Sequence, residues 1–315
     1  MNLPASLVNF TGWVRPWRNP LMVGMACVGA LAGPTKADLV VLNAAGPASY
    51  LLRLDAATGA AQEVFRQETE AYYSLTLSPQ NELMVSANTL GEFSFQTFGA
   101  DRAYRGSIGH NRTSWWGGTR GPDGAVYALG TDHASAGTTG NLSVWRIAGG
   151  EPQLWISAGS GGMTAPVGFV FGPEGDLYVA DARAGVLRFG QDHGTARGVF
   201  VPLGRGGLQD VAKLSFGPDG HLYVASQQAN AVLRFDGQTG EVIDTFVTAG
   251  AGGLVGPAGL AFGPDGYLYV TSAGTNQILR FDGTTGAALG VVATAAGTPG
   301  DPRLRWRDLV FVRGE

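Results

Sequence analysis

The clearest pattern of apolar and polar positions lies between Gly256 and Val292, where four short segments rich in β-formers alternate with turn residues. The segments are GLAF (259–262), LYVTS (268–272), QILRFD (277–282) and ALGVV (288–292). The first turn is Gly-Pro-Asp-Gly at 263–266, in which Pro presets φ and Gly accepts a positive φ. The pattern predicts a four-stranded antiparallel meander, which is too small to bury its faces alone.

The same unit recurs along the chain. The residues at the proline position of its first turn are Pro79, Pro122, Pro173, Pro218 and Pro264, separated by 43, 51, 45 and 46 residues. A period of this size with four strands per repeat is typical of β-propeller blades.

The two ends of the chain together supply one more copy. Residues 38–65 match the repeat from its second strand onward, and residues 307–315 form a lone apolar strand. The sequence therefore predicts an all-β, six-bladed β-propeller with four-stranded blades, in which the C-terminal strand joins the N-terminal blade and closes the ring. Such a closure leaves no unpaired blade edge. A seventh blade would need about 40 more residues.

Residues 1–37 are typical of a secretory leader. Arg15 and Arg18 precede the apolar run 21–33, and the small residues Thr35 and Ala37 precede a possible cut before Asp38. This run is too short to span a bilayer, although a short membrane-anchored N-terminus is the alternative. We therefore expect a signal peptide at 1–37, a propeller at 38–315, secretion or export to the periplasm, and no membrane span after leader removal.

Composition narrows the class of protein further. Glycine contributes 50 of 315 residues, charged residues 15% and apolar residues 44%, which favours many tight turns in a packed fold over disorder. The net charge of −4 gives no indication of a nucleic-acid partner, and we expect a monomer. The single cysteine, Cys27, lies in the predicted leader, so the mature chain would have no disulfide.

Ligands of propellers are expected where the loops leading into first strands meet the loops that follow second strands. The first set of loops contains four aromatic candidates, Tyr73, Trp115, Trp116 and Trp306, on three neighbouring blades. They predict a ligand-binding platform for a protein or glycan, because aromatic rings supply a large contact area. The alternative is that these rings plug the channel or pack between blades.

Three residues after second strands are candidates for catalysis: Asp132, His133 and Asp181. Asp181 is also a ligand-binding candidate, or it bonds to the backbone. Asp132 and His133 could act as acid and base, but adjacent residues of an extended chain point to opposite sides. No HExxH, CxxC, P-loop or GxSxG motif is present in the sequence.

Two repeated sets of charged residues have structural explanations. We expect the turn carboxylates to bond to local backbone N–H groups. We expect the arginines of the repeated L-R-F strands to pair with acids of neighbouring blades or to lie on the solvated outer sheet. The carboxylates are Asp123, Glu174, Asp219 and Asp265, and the arginines are Arg188, Arg234 and Arg280.

The unit LYVTSAGTNQILRFDGTTG, preceded by its Pro-Asp-Gly turn, resembles the NHL type of six-bladed propeller. The resemblance is close over residues 164–292 and loose over residues 38–158. NHL-like propellers serve as interaction modules, while a few relatives are lyases or hydrolases, so the resemblance implies the fold more than the activity. The streptogramin-lyase-like propellers are a further resemblance, but their cluster of a histidine and acidic residues around Mg²⁺ has no counterpart that we can place here.

The gluconolactonase-like (regucalcin-like) propellers are a neighbouring family that the repeat is also similar to. That family holds a divalent ion through a Glu and Asn residues at first-strand starts, with a catalytic Asp after a second strand. The positions that match its Asn here are Tyr73, Trp116, Val167, Ala212 and Ala258, and only Asp181 matches its Asp. A single carboxylate makes a poor divalent site. The comparison implies no metal site and no cofactor, with a divalent cation disfavoured.

Taken together, the sequence predicts a secreted, non-catalytic NHL-like propeller that binds a protein or glycan through one face of the ring. The alternative is a hydrolase or lyase of the gluconolactonase-like or streptogramin-lyase-like type, with its active site at the channel mouth and Asp181 as base.

Overall fold

The computed structural model describes most of the chain after residue 36. The described residues are 37–45, 48–55, 58–68, 71–77, 82–89, 92–99, 103–109, 113–132, 142–148, 151–294 and 305–313. The predicted leader lies outside them, apart from Ala37.

The described residues form 24 strands. The first eleven are β1 (Ala37–Ala45), β2 (Ala48–Asp55), β3 (Ala61–Glu68), β4 (Ala71–Leu77), β5 (Leu83–Thr89), β6 (Glu92–Phe98), β7 (Tyr104–Gly109), β8 (Thr113–Arg120), β9 (Val126–Asp132), β10 (Ser143–Ala148) and β11 (Glu151–Ile156). The next eight are β12 (Pro166–Phe171), β13 (Leu177–Asp181), β14 (Gly185–Phe189), β15 (Ala196–Pro202), β16 (Lys213–Phe216), β17 (Leu222–Ser226), β18 (Ala231–Phe235) and β19 (Val242–Val247). The last five are β20 (Pro257–Phe262), β21 (Leu268–Ser272), β22 (Gln277–Phe281), β23 (Ala288–Thr294) and β24 (Arg305–Arg313).

These strands form six antiparallel four-stranded sheets arranged as a six-bladed propeller. Blades 1 to 5 are β4–β7, β8–β11, β12–β15, β16–β19 and β20–β23, each in chain order. Blade 6 is split, with the order β24-β1-β2-β3, so its inner strand comes from the C-terminal end. Val310 of β24 lies opposite Val40 of β1. The predicted fold class, blade count and ring closure are confirmed.

The core is divided among the junctions between blades. Six apolar clusters are described, one at each junction of neighbouring blades. In blade 6, Leu39 and Val41 face blade 5, whereas Val40 and Leu42 face blade 1. Successive strand residues point to opposite faces, and both faces are covered here. This explains why the second strands read as nearly continuous apolar runs such as LYV.

Within the described part of the chain, no helix has the length and apolar character needed to cross a membrane. The helical elements described there are single 3₁₀ turns, at Ser160–Gly162, Arg205–Gly207 and Ala251–Gly253. Each lies between the outer strand of one blade and the inner strand of the next.

Candidate functional site

Because the strands are antiparallel, loops leading into inner strands gather at one end of the ring with the loops that follow second strands. We call this end the mouth face. Its best-described segments are 163–168, 181–184, 208–213, 226–230, 254–259 and 272–276. The turns between first and second strands lie at the opposite end, the base face, which includes 121–124, 172–175, 217–220 and 263–266.

Five of the described inner strands are irregular where they reach the mouth face. In β20 the shift in pairing lies between Pro257 and Leu260, and in β24 it lies between Trp306 and Asp308. The other three irregular strands are those of blades 1 to 3. Their pairing with the second strand shifts between Tyr72 and Ser74, between Trp115 and Gly117, and between Pro166 and Gly168. Each of these three shifts inserts one extra residue, a β-bulge, which re-aims the local chain. The inserted residues are Tyr73, Trp116 and Val167.

The backbone places the aromatic candidates at the mouth ends of the inner strands β4, β8 and β24, and not in the loops that lead into them as the sequence predicts. Trp306 lies opposite Asn43 in blade 6, and Trp115 lies opposite Gly130 in blade 2. Tyr73 and Trp116 occupy the bulges of blades 1 and 2. For all four aromatic residues the structure describes only the backbone, so their role as a platform stays a prediction.

Among the bulge residues of blades 1 to 3, Val167 is the one whose side chain is described. It is 51% exposed, on the inner strand of blade 3. Val255, in the loop that leads into β20, is 44% exposed. The mouth face therefore presents apolar side chains to solvent.

Asp181 ties two mouth loops together. Its side chain is fully buried, and one carboxylate oxygen accepts the N–H groups of Thr164 and Ala165 at 2.6 and 2.7 Å. The other oxygen accepts the N–H groups of Arg183 and Ala184, both at 2.9 Å. The carboxylate thereby joins the loop leading into β12 to the loop that follows β13.

These contacts set the protonation of Asp181. Burial alone would raise the pKa of this carboxyl, but the N–H groups of Ala165, Arg183, Thr164 and Ala184 outweigh it and hold the pKa below the ordinary 3.8. A general base needs a pKa near the working pH and a free lone pair aimed at its substrate. The geometry gives Asp181 a structural role, and a catalytic or ligand-binding role stays a prediction.

Blades 4 and 5 tie the same two loops with other side chains. In blade 4, Ser226 donates to Asp210 at 2.8 Å, and Asp210 also accepts the N–H group of Gln228. In blade 5, Ser272 accepts the N–H group of Val255 at 2.9 Å. Because three blades carry an equivalent tie, Asp181 belongs to a repeated device that stabilises the mouth loops.

The second pair of catalytic candidates is not brought together by the described residues. Asp132 is the last residue of β9, and its backbone lies opposite Thr113. His133 lies outside the described residues. Within the described part of the chain, no three His, Cys, Asp or Glu residues form a group that could hold a metal ion.

The central channel contains a charged pair that the sequence analysis missed. Nζ of Lys213, on the inner strand of blade 4, lies 2.7 Å from Oδ2 of Asp308, on the inner strand of blade 6. The same oxygen accepts the N–H group of Leu75 from blade 1 at 3.1 Å. Oδ1 accepts the N–H group of Leu309 at 3.0 Å. One carboxylate thereby connects three blades.

Lys213 and Asp308 occupy the same position in their inner strands. The six equivalent residues around the ring are Ser74, Gly117, Gly168, Lys213, Gly259 and Asp308. Blade 5, which separates the two charged residues, contributes a glycine at this level. The remaining three positions carry no side chain or a small one. The channel has a volume of about 280 Å³ and is lined by these inner strands.

A signal for this pair was present in the sequence. Only 15% of residues are charged, and Lys213 is one of two lysines in the chain. The residues that match the metal ligands of gluconolactonase-like propellers lie one position earlier, such as Ala212. That position is a bulge in blades 1, 2, 3 and 6, and the charged pair lies at the position that follows it.

Comparison with known proteins gives the same architecture. No family model matches the chain, and no curated protein sequence matches it. Solved structures do. A protein of unknown function from Bacteroides caccae is 13% identical, with 88% of this chain and 99% of that chain covered and a TM-score of 0.63. A chain of the nidogen/laminin complex is 14% identical, with 88% and 98% covered and a TM-score of 0.62.

Enzymes are among the similar structures as well. Virginiamycin B lyase from Staphylococcus aureus is 19% identical, with 77% of each chain covered and a TM-score of 0.53. Gluconolactonase-like and regucalcin propellers are also present. The shared property is the fold. Identities this low show the six-bladed propeller predicted from the repeat and leave the activity open.

The base face differs from the mouth face in charge. As predicted, three of its turn carboxylates accept local N–H groups: those of Asp123, Asp219 and Asp265, for example Asp123 from Ala125 at 3.1 Å. The carboxylate of Glu174 instead lies 3.6 Å from Arg188. The second oxygen of Asp123 also accepts the phenol of Tyr127 and Nε of Arg146, which the sequence analysis did not foresee. Exposed carboxylates on or beside the base turns include Asp123, Glu174, Asp192, Asp219 and Asp265.

The expected partners of the L-R-F arginines were wrong. Arg188 pairs with Asp176 at 2.7 Å, and Arg234 pairs with Asp244 at 2.5 Å. Both acids belong to the same blade as their arginine. Asp176 immediately precedes β13, which pairs with the strand of Arg188, and Asp244 lies on β19, which pairs with the strand of Arg234. These ion pairs therefore reinforce single blades.

Proposed function

We propose that the protein is an exported binding module that recognises a protein partner through the mouth face of its propeller. The supporting observation is the chemistry of the exposed mouth side chains. Val167 and Val255 are exposed, and the amides of Gln209 and Gln227 lie in neighbouring mouth loops. This mixture of apolar and amide groups suits a protein surface.

The distribution of charge supports the same proposal. In the mouth segments of blades 3 to 5, whose side chains are described, the carboxylates Asp181 and Asp210 are engaged in the loop ties, and Arg183 is the exposed charged residue. Charged groups are depleted at the centres of protein interfaces, whereas exposed carboxylates mark the base face here. A chain of the nidogen/laminin complex has this fold, so the fold occurs in a protein–protein complex. A glycan partner is the competing outcome.

A matched pair of variants tests the proposal. Val167 and Val199 are both 51% exposed and both lie in blade 3, but Val199 is on the outer strand β15. Wild type, Val167→Asp and Val199→Asp proteins are immobilised, and retained proteins are quantified by mass spectrometry. We expect the retained amount of one partner protein to fall at least about tenfold with Val167→Asp and to stay unchanged with Val199→Asp. Equal retention by both variants, or a partner lost only with Val199→Asp, would contradict the proposal.

The alternative function, a hydrolase or lyase, has a separate test. The purified protein is assayed for bound Ca²⁺, Mg²⁺ and Zn²⁺ and for hydrolysis of a lactone panel. Stoichiometric metal with turnover that is abolished in a folded Asp181→Asn protein would establish the hydrolase or lyase alternative, because circular dichroism separates loss of chemistry from loss of the fold.

Export rests on the leader pattern at residues 1–37. Fractionation of expressing cells and N-terminal sequencing of the recovered protein measure it. We expect a mature chain that begins at or near Asp38 outside the cytoplasm. An intact leader on cytoplasmic protein would overturn this part of the proposal.

A further inference from the structure

The Lys213–Asp308 pair in the central channel has hydrogen-bonding capacity left over. Asp308 is almost fully buried, with a side chain 5% exposed, and it accepts Leu75 N, Lys213 Nζ and Leu309 N. A carboxylate offers about four acceptor directions, so one remains. The Lys213 side chain is 30% exposed. Its ammonium has three N–H donors, and Asp308 takes one of them in the described structure.

The channel is asymmetric at the level of this pair. Lys213 and Asp308 lie on either side of blade 5. Across the ring, Ser74 lies opposite Lys213 and Gly168 lies opposite Asp308, with Gly117 between them. A Cβ atom built on Gly168 would meet no other atom within 4 Å. Further along the strands, the hydroxyls of Thr76 and Thr119 are hydrogen-bonded to each other at 2.9 Å. Space and polar groups therefore face the charged pair across the channel.

We propose that this channel is a binding site for a small neutral molecule with neighbouring hydroxyl groups, a sugar or polyol. One hydroxyl accepts a hydrogen bond from Nζ of Lys213, and the adjacent hydroxyl donates to the free lone pair of Asp308. The site lies inside the channel, beneath the mouth face, so this inference goes beyond recognition of a protein partner.

The charges of the pair select against ionic ligands. A carboxylate or phosphate that approached Lys213 would lie close to the buried Asp308, which carries the same charge. An amine that approached Asp308 would meet the ammonium of Lys213. In a poorly solvated channel, the contact between like charges disfavours both the anionic ligand and the amine. A hydroxyl avoids both contacts and uses the donor and the acceptor together.

The test is calorimetric titration of the full chain with a panel of monosaccharides. The neutral probes are glucose, galactose, mannose and N-acetylglucosamine, and the ionic probes are glucuronate and glucosamine. We expect saturable binding of at least one neutral sugar, and binding at least about tenfold weaker for both ionic probes. Binding of the ionic probes alone, or no binding of any probe in the millimolar range, would overturn the inference.

Two variants connect the binding to the channel. Lys213→Met removes the donors while keeping a long side chain, and a bound sugar should lose at least about tenfold in affinity. Gly168→Val fills the open half of the channel and leaves the charged pair unchanged. It therefore provides an independent test of the site if Lys213→Met fails to fold. Unchanged affinity in a folded Gly168→Val protein would reject the site. A failure here, together with partner retention that still depends on Val167, would reject the sugar site alone and leave the proposed function standing.

Discussion

The ring of Tyr269 in blade 5 packs edge-to-face on Phe311 of the C-terminal strand β24, with centroids 4.7 Å apart and planes at 68°. The same contact joins Tyr178 to Phe216 at 4.9 Å and 69°, between blades 3 and 4. The last strand of the chain therefore makes at the closure the contact that internal inner strands make elsewhere. The ring closes by the same packing that builds it.

If β24 closes the ring, two matched Phe→Ala variants should lose the same free energy of unfolding. Phe311 and Phe262 are both partly buried and each packs on a second-strand tyrosine, Tyr269 or Tyr223. Phe311→Ala and Phe262→Ala should each lower the free energy of unfolding by about 3 kcal/mol, measured by denaturant titration. A cost below about 1 kcal/mol for Phe311→Ala, beside the full cost for Phe262→Ala, would show that β24 does not complete the ring.

A glycine in blade 6 tests the contact between the N-terminal strands and blade 5. Gly59, with φ +69°, lies in the β2–β3 turn of blade 6, and a Cβ there would lie 1.6 Å from the carbonyl oxygen of Val292 in blade 5. Gly124, with φ +78°, has no atom within 4 Å of such a Cβ. Alanine at positive φ costs about 1 kcal/mol at either position.

Gly59→Ala should therefore cost at least about 2 kcal/mol more than Gly124→Ala, because the first variant must also separate two blades. Thermal and denaturant unfolding measure the difference. Equal losses of stability would place the N-terminal strands elsewhere than beside blade 5.

Asp181→Asn should destabilise the fold by about 2 to 3 kcal/mol at pH 7, because the amide cannot replace a carboxylate that accepts four backbone N–H groups. The folded pKa of Asp181 is lowered, so its contribution is present above the unfolded pKa of 3.8 and is lost as pH falls through the folded pKa. Wild type should lose stability on acidification below about pH 4, and the variant should lose less. Parallel profiles for the two proteins would contradict this role of the carboxylate.

Ionisation of Tyr223 makes the stability of the fold depend on pH in the direction opposite to that of Asp181. Burial first, and then its hydrogen bond to Asp219, raises the pKa of this phenol from 10.0 to about 12. The folded state holds the proton more tightly, so the contribution to stability is present below pH 10 and is lost as pH rises toward 12. Tyr223→Phe should flatten the stability profile between these pH values, measured by urea unfolding. An unchanged slope would show that this phenol does not titrate with folding.

The repeat made the architecture predictable because each blade is defined by turn residues and apolar runs that are close together in the sequence. The Gly-Pro-Asp-Gly turns fix each first hairpin, and runs such as Leu268–Val270 are buried on both faces between blades. Residues 38–65 lack only an inner strand, which is why the split blade could be assigned from the two ends of the chain.

The channel pair was less accessible to sequence reasoning. Lys213 and Asp308 are 95 residues apart and belong to blades that are not neighbours. Their contact depends on ring closure and on the glycine of blade 5 between them. Bulges also displaced the alignment of inner strands by one residue at the mouth, which drew attention to Trp116 and away from Gly117. The intrablade partners of Arg188 and Arg234 likewise depend on positions within each sheet that the repeat does not specify.

The central claim is that the mouth face is the recognition surface. Hydrogen–deuterium exchange of the full chain, with and without the partner isolated through its dependence on Val167, tests this most directly. The account predicts slower exchange in mouth segments 163–168, 208–213 and 254–259 and unchanged exchange in base turns 121–124, 172–175 and 217–220. Protection confined to the base turns or to the outer strands would contradict it.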